Sequence, residues 1–242
     1  MKMRVGLMVI LAFLVSASNA GLSKVVRLSL AEGILKVTPY TDKIIRIQFA
    51  PGEKALNIQS LVVLLSPQQN HFSVEEQGKH YLLRNCFGSL VIDRSTGAIQ
   101  FRDEQEVVLI KEKELLPKDL KLTQQDGEQG YRVANYFRVD TAQHLFSMEL
   151  SQRRMVNLRN AEYATAVDGD KGINPFVVSS ANYGIFWDNY CFTRVGNNPV
   201  EGTYFISEKA PCLDYYFILG DSMEEVINGY LQLIGEASDW PD

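Results

Sequence analysis

Histidine and cysteine are scarce in this chain, three of each in 242 residues, and tryptophan occurs only twice. His71, His80 and His144 stand apart and match no metal-ligand spacing, so the sequence implies no bound metal. Cys86, Cys191 and Cys212 are odd in number and widely spaced, which argues against a disulfide framework and leaves them as small apolar packing residues. There is no phosphate-cradling loop, no Ser-His-Asp order, no internal repeat and no low-complexity tract. Basic charge is not in excess either: 24 Lys and Arg against 29 Asp and Glu leave a net charge of -5. The lack of a basic stripe to displace phosphate counterions argues against a nucleic-acid partner.

What is present is apolar and punctuated. Hydrophobic residues make up 46% of the chain, enough for one large β domain or two small ones. Lys2 and Arg4 precede an apolar run, Val5 to Val15, and Ser18-Asn19-Ala20 follows with small residues where a signal peptidase reads them. Residues 1–20 are therefore expected to be a signal peptide for export to the periplasm or beyond. The run is too short to span a bilayer, so no membrane span is expected.

Leu35 and Val37 alternate with Lys36 and Thr38, and Ile45, Ile47 and Phe49 alternate with Arg46 and Gln48. That period puts one set on a buried face and the other on a wet one. Leu61 to Leu65 reads as a strand covered on both faces. Leu90 and Ile92 are expected to pair with Ile99 and Phe101 across a turn closed by Gly97. Tyr131, Val133, Phe137 and Val139 continue the alternation, Gln124 to Gly130 reads as a loop, and Asn157 to Asn174 as a long one. Near the end, Asp221 with Glu224 forms a capping-box pattern. Met223, Val226, Ile227, Tyr230, Leu231 and Ile234 recur at helical spacing, and Gly235 supplies a stop. Many short strands and one helix predict an all-β antiparallel sandwich or barrel with a C-terminal helix.

Five stretches carry a resemblance. GILKVTPYTDKIIRIQFAPG (Gly33–Gly52) and CFGSLVIDRSTGAIQF (Cys86–Phe101) read as hairpins. PFVVSSANYGIFWDN (Pro175–Asn189) is a strand ending in two serines that returns through Tyr-Gly. LDYYFILG (Leu213–Gly220) feeds the helix, and EASDWPD (Glu236–Asp242) follows it. Together they resemble the N-terminal β-sandwich domain of glycoside hydrolase family 31, the α-glucosidases and α-xylosidases. The resemblance implies a mutarotase-like supersandwich over residues 21–235, with 236–242 opening the segment that leads into a catalytic barrel. One departure stands out. The family's Tyr-Gly-Leu-Gly type motif is replaced by Leu145 to Leu150, without either glycine, which implies a different loop there.

Retaining glycosidases need two carboxylates about 5–5.5 Å apart. The family draws both from the barrel, so no catalytic residue is expected here, no cofactor is implied, and the chain alone is expected to be inactive. Asp188 in the Trp-Asp-Asn stretch reads as a turn residue making Asx hydrogen bonds. The family's loop that leans over the barrel mouth corresponds to the segment before Pro175, which makes Asp168 and Asp170 the candidate substrate-binding residues. A carboxylate there can accept two sugar hydroxyls. The partner implied is an α-glucoside or α-xyloside oligosaccharide reached through a barrel domain, with a separate barrel chain or a homo-oligomer as further partners. A free-standing carbohydrate-binding module would need an exposed aromatic platform, but Trp187 and Tyr190 are expected to face the core. A mutarotase-like activity would need a His and Glu site that the three histidines do not suggest.

Overall fold

Alternating apolar residues become paired strands through most of the chain. The computed structural model describes residues 25–68, 72–115, 117–125, 127–149, 154–165 and 173–235. The strands are β1 (Val26–Leu30), β2 (Gly33–Pro39), β3 (Ile44–Ala50), β4 (Ser73–Gln77), β5 (His80–Arg84) and β6 (Gly88–Asp93). They continue with β7 (Ile99–Asp103), β8 (Val108–Glu112), β9 (Lys118–Gln125), β10 (Glu128–Arg138), β11 (Leu145–Glu149) and β12 (Arg154–Asn157). The last are β13 (Ala161–Ala164), β14 (Ile173–Ser179), β15 (Tyr183–Trp187), β16 (Thr193–Asn198), β17 (Gly202–Ala210) and β18 (Leu213–Leu219), followed by the helix α1 (Met223–Ile234).

Two antiparallel sheets result. One runs β1-β2-β3-β18-β15-β14-β11-β12, the other β13-β16-β17-β10-β8-β7-β6-β5-β4, with β9 paired to β10. This is the expected all-β sandwich with one C-terminal helix. Among the described residues no helix is long and apolar enough to cross a membrane.

The core lies between the sheets. Ile45, Ile47, Leu213, Tyr215, Phe217 and Trp187 come from one side, and Leu90, Phe101, Ile110, Val133, Phe137 and Phe205 from the other. Phe101 stacks on Phe217 at 3.9 Å between ring centres, and Trp187 on Phe205 at 5.2 Å. Full burial of each such ring stabilises by about 1.5–3 kcal/mol. The indole of Trp187 donates to Ser207 Oγ at 2.8 Å, so its polar end is satisfied as well.

The β6–β7 hairpin has the expected register, with Leu90 opposite Phe101 and Ile92 opposite Ile99. Gly97 sits at φ +70°, and a Cβ there would lie 2.4 Å from Leu30 Cδ1, so both conformation and space require glycine. Asp93 organises the turn. Burial works against its ionisation, but hydrogen bonds from Ser95 and Thr96 overcome this and hold its carboxyl down at about 2.

Five local expectations are corrected. Within Asn157 to Asn174, read as a long loop, Ala161–Ala164 forms β13, paired with β16, and Ile173 opens β14. Leu61 to Leu65 is not a strand. Both edges of the nearby β3 are taken by β2 and β18, and the segment runs along α1, with Leu64 N and Leu65 N donating to Leu233 O. The helix cap falls one residue later than expected. Ser222 accepts from Glu225 N at 3.2 Å, and the Glu225 carboxylate accepts from Asp221 N at 3.0 Å. Gln124 to Gly130 is largely strand, the tip of the β9–β10 hairpin, turning at Gly127 with φ +79°. The segment that lacks the family's glycines forms β11. At its register shift Ser147 Oγ bonds the carbonyls of Asn174 (2.8 Å) and Phe176 (2.9 Å).

Inside the sandwich Glu112 and Lys118, 1% and 3% exposed, form an ion pair. Lys118 also donates to Gly97 O at 2.7 Å. Burial pushes the Lys118 ammonium below its usual range, and the Glu112 carboxylate works against that shift. The remaining lone pairs of Glu112 accept from Ile99 N (3.0 Å), Asn135 Nδ2 (2.9 Å) and Tyr215 OH (2.8 Å). Removing one partner of such a pair strands a buried charge, which costs about 3–5 kcal/mol, whereas removing both is cheaper. Lys118→Met should therefore lower the free energy of urea unfolding by about that amount, and the double variant Glu112→Gln/Lys118→Met by less than the sum of the single losses. Strict additivity would show that the pair is not coupled.

Candidate functional site

The outer face of the eight-stranded sheet is built from the residues that alternate with the core. On β3 these are Ile44, Arg46, Gln48 and Ala50, and on β18 Asp214, Tyr216 and Ile218. Helix α1 covers the half that carries Ile44, Phe176, Phe186, Tyr216 and Ile218, and buries Val226 and Leu233 against them. Beyond the edge of the helix the face turns polar.

Pairing sets Asp214 opposite Gln48 and Tyr216 opposite Arg46. Arg46 grips Asp214 with both arms, Nε to Oδ1 at 2.9 Å and Nη2 to Oδ2 at 2.6 Å. Its other contacts are Tyr40 OH at 3.3 Å, Ile58 O at 3.4 Å and the carboxylate of Asp188 at 3.9 Å. Gln48 Nε2 donates to Asp214 Oδ2 at 3.1 Å. Arg46 was expected on a wet face, yet it is 8% exposed and Gln48 is fully buried, and Ile58 from the 58–65 segment meets Arg46. Asp188 is not an Asx turn residue. It is buried, and it accepts from Tyr190 OH at 2.7 Å.

Tyr190 carries the network outward. Its hydroxyl meets Ser60 Oγ at 3.0 Å and accepts from Leu61 N at 2.6 Å, while Ser60 Oγ accepts from the amides of Val62 and Val63. The sheet thus holds the 58–65 segment through a polar chain, Arg46–Asp188–Tyr190–Ser60. The segment in turn presents apolar side chains to solvent, with Leu61 77% and Leu64 74% exposed, beside Ile58 and Val62. Tyr190 belongs to this ledge at 54% exposure, contrary to the expected core position, while Trp187 is in the core as expected. Gln48 Oε1 and Asn189 Nδ2, both buried here, make no hydrogen bond among the described residues.

Asp188 and Asp214 are closed to solvent and bonded to their neighbours, so the arrangement positions a surface and offers no open acid–base pair. Cys212 packs with Ala50 and Leu56, and burial first of all pushes its thiol far above the usual range, which makes it unreactive. Cys86 is exposed, so the packing role expected of it does not hold. His80 is exposed and His144 half-buried. Among the described residues no group of His, Cys, Asp and Glu is arranged to hold a metal. The candidate residues Asp168 and Asp170 lie outside the described residues, as does His71. Sequence reasoning missed Arg46 and Asp214 as a pair. The available signal was a single charge of opposite sign in each of two otherwise apolar strands.

Residues 34–195 match the family model described as the glycosyl hydrolase 31 N-terminal galactose mutarotase-like domain. The α-xylosidase of Saccharolobus solfataricus is 31% identical over 204 residues, which covers 81% of this chain and 27% of that protein. Alpha-glucosidase 2 of Bacillus thermoamyloliquefaciens is 25% identical over 217 residues, covering 84% of this chain and 26% of that protein. The chain therefore spans about a quarter of the length of the curated relatives it matches. Among solved structures, the GH31 α-xylosidase from Xanthomonas citri superposes with a TM-score of 0.78 at 14% identity, over 88% of this chain and 40% of that one. The Flavobacterium johnsoniae GH31 dextranase with bound isomaltotriose gives a TM-score of 0.70 at 19% identity, over 85% and 26%. At these identities the superpositions show a common fold.

The buried charges make the site pH-dependent. Burial, aided by Asp188 and opposed by Arg46 and Gln48, raises the Asp214 carboxyl to about 6. The unfolded value is about 3.9. Between those values the folded protein keeps a proton that the unfolded chain has released, so this group's contribution is full below about pH 4 and is lost as pH rises to about 6, on the order of 2–3 kcal/mol at most. A ¹³C titration of the Asp214 carboxyl should show a midpoint near 6, with Arg46, Asp188, Tyr40, Tyr216, Lys36 and Cys212 as the titratable neighbours. A midpoint at or below the unfolded value would contradict this electrostatic description.

Proposed function

This chain belongs to the glycosyl hydrolase 31 N-terminal galactose mutarotase-like domain family, and we propose that it is the non-catalytic sandwich of an exported α-xylosidase or α-glucosidase. In this reading it packs on a catalytic barrel and helps shape the sugar pocket. The observation that carries it is the ledge. Leu61, Leu64 and Tyr190 are held out from the sheet by the Asp188–Tyr190–Ser60 hydrogen bonds, beside the C-terminal end of α1. A rigidly supported exposed apolar surface of this kind marks a place where another folded unit sits. The names of the relatives, α-xylosidase and α-glucosidase, support the substrate class. Asp168 and Asp170 are proposed to contact the sugar once a barrel is in place, since a carboxylate pair flanked by Gly169 and Gly172 can approach and accept hydroxyls.

The test is complementation. The chain alone should not turn over aryl α-xylosides or α-glucosides, because glycoside cleavage needs a paired nucleophile and proton donor. Mixed with a barrel chain of the same family it should support turnover. In that mixture Asp168→Ala or Asp170→Ala should raise KM and leave the melting temperature unchanged. Turnover by this chain alone, abolished by mutating one of its own carboxylates, would overturn the reading. An equal loss of stability and binding in the aspartate variants would make that loop structural.

Export rests on the order Lys2 and Arg4, Val5 to Val15, then Ser18-Asn19-Ala20. N-terminal sequencing of protein recovered outside the cytoplasm should begin at Gly21. A product that keeps Met1 would refute it.

A further inference from the structure

A cleft of about 470 Å³ opens between α1 and two sheet turns. One wall is a single stripe of the helix, Glu225, Asn228, Gly229 and Gln232, at i, i+3, i+4 and i+7. The opposite wall is the β2–β3 turn with Lys43, and Phe87 from the β5–β6 turn. Ile44 and Ile218 give it an apolar floor. The volume falls within the usual 300–1,000 Å³ range of small-molecule sites, and the lining pairs an apolar surface with a few convergent polar groups.

The chemistry of the lining selects a class of ligand. Lys43, the cation of the cleft, is already engaged: its Nζ donates to Glu225 at 3.0 Å and Asp221 at 3.1 Å and lies 4.7 Å from the centre of the Phe87 ring. An anion would meet no free positive charge and three carboxylates, Asp42, Asp221 and Glu225. The amides of Asn228 and Gln232 make no hydrogen bond among the described residues, and each offers two donors and an acceptor to the cleft. Gly229 sits between them in mid-helix, where glycine costs about 1 kcal/mol relative to alanine. A Cβ there would lie 2.8 Å from Ile218 Cγ2, so the glycine lets α1 seat on β18 without filling the space between the amides.

Neutral amides, carboxylates that can accept hydroxyls, a compensated cation, an apolar floor and an aromatic ring together suit a neutral ring with one hydroxyl-rich edge and one C–H face. We propose that this cleft is an accessory binding site for a neutral pyranose unit of an oligosaccharide, distinct from the ledge. The site needs no barrel, so it stands or falls independently of the function proposed above.

The test uses the chain alone, ¹⁵N-labelled and titrated at millimolar concentrations with isomaltotriose and maltotriose, and separately with inorganic phosphate. Binding of an oligosaccharide should shift the amides of residues 41–44, Phe87 and 225–232. Asn228→Ala/Gln232→Ala should keep the fold, since alanine favours a helix, and should weaken binding about tenfold for the lost hydrogen bonds. Absent or misplaced oligosaccharide shifts, a double variant that binds as well as the original, or phosphate binding in the cleft would each overturn the proposal.

Discussion

The carboxylate of Glu112 sits where the two sheets face each other and takes a hydrogen bond from four separate strands: Ile99 of β7, Lys118 of β9, Asn135 of β10 and Tyr215 of β18. Three of these donors belong to its own sheet and one reaches across the core. A buried carboxylate tolerates no vacant lone pair, so its four partners must arrive together. That demand fixes where β18 lies against β8 and β10. The rings packed around it, Phe137 at 5.7 Å from Tyr215 and Phe101 on Phe217, then have one arrangement available. Hydrophobic burial supplies the bulk of the stability here, and the polar knot ties the two sheets together at Tyr215.

β18 transmits that constraint outward. Its inward residues Leu213, Tyr215 and Phe217 are held by the core, so Asp214 and Tyr216 must face out, where Arg46 meets both. From there Asp188 and Tyr190 lead to the 58–65 segment. One strand thus joins the charge network between the sheets to a second one on the outer face, which reaches the exposed ledge through Tyr190. The helix does the same for the neighbouring cleft, with one stripe on the sheet and the adjacent stripe facing polar space.

For a domain of this family such a division of labour is reasonable. A large sandwich can use its interior for rigidity and its faces for contact. The buried acids Glu112, Asp188 and Asp214 all serve as anchors for neighbouring side chains, which explains why burial and bonding partners matter more than the mere presence of carboxylates.

By itself the sequence determined the class of fold, because period-2 alternation, turn glycines and a capped helical stripe are local properties. The β6–β7 register, Gly97 and the helix from Met223 to Ile234 follow from a few neighbouring residues each. The motif order also carried the family. Tertiary structure alone decided the rest. Leu61 to Leu65 has the composition of a buried strand, yet an apolar run reads the same whether it is paired within a sheet or laid along a helix, and only the taken edges of β3 settle which. Arg46 looked solvent-facing because alternation reports two faces without saying what covers the second. Tyr190 was expected in the core and Asp188 at an Asx turn, and both are elsewhere, since their partners Ser60 and Arg46 lie far away in the chain. Contacts between residues distant in sequence leave no local pattern, and it is those contacts that made the ledge and the cleft.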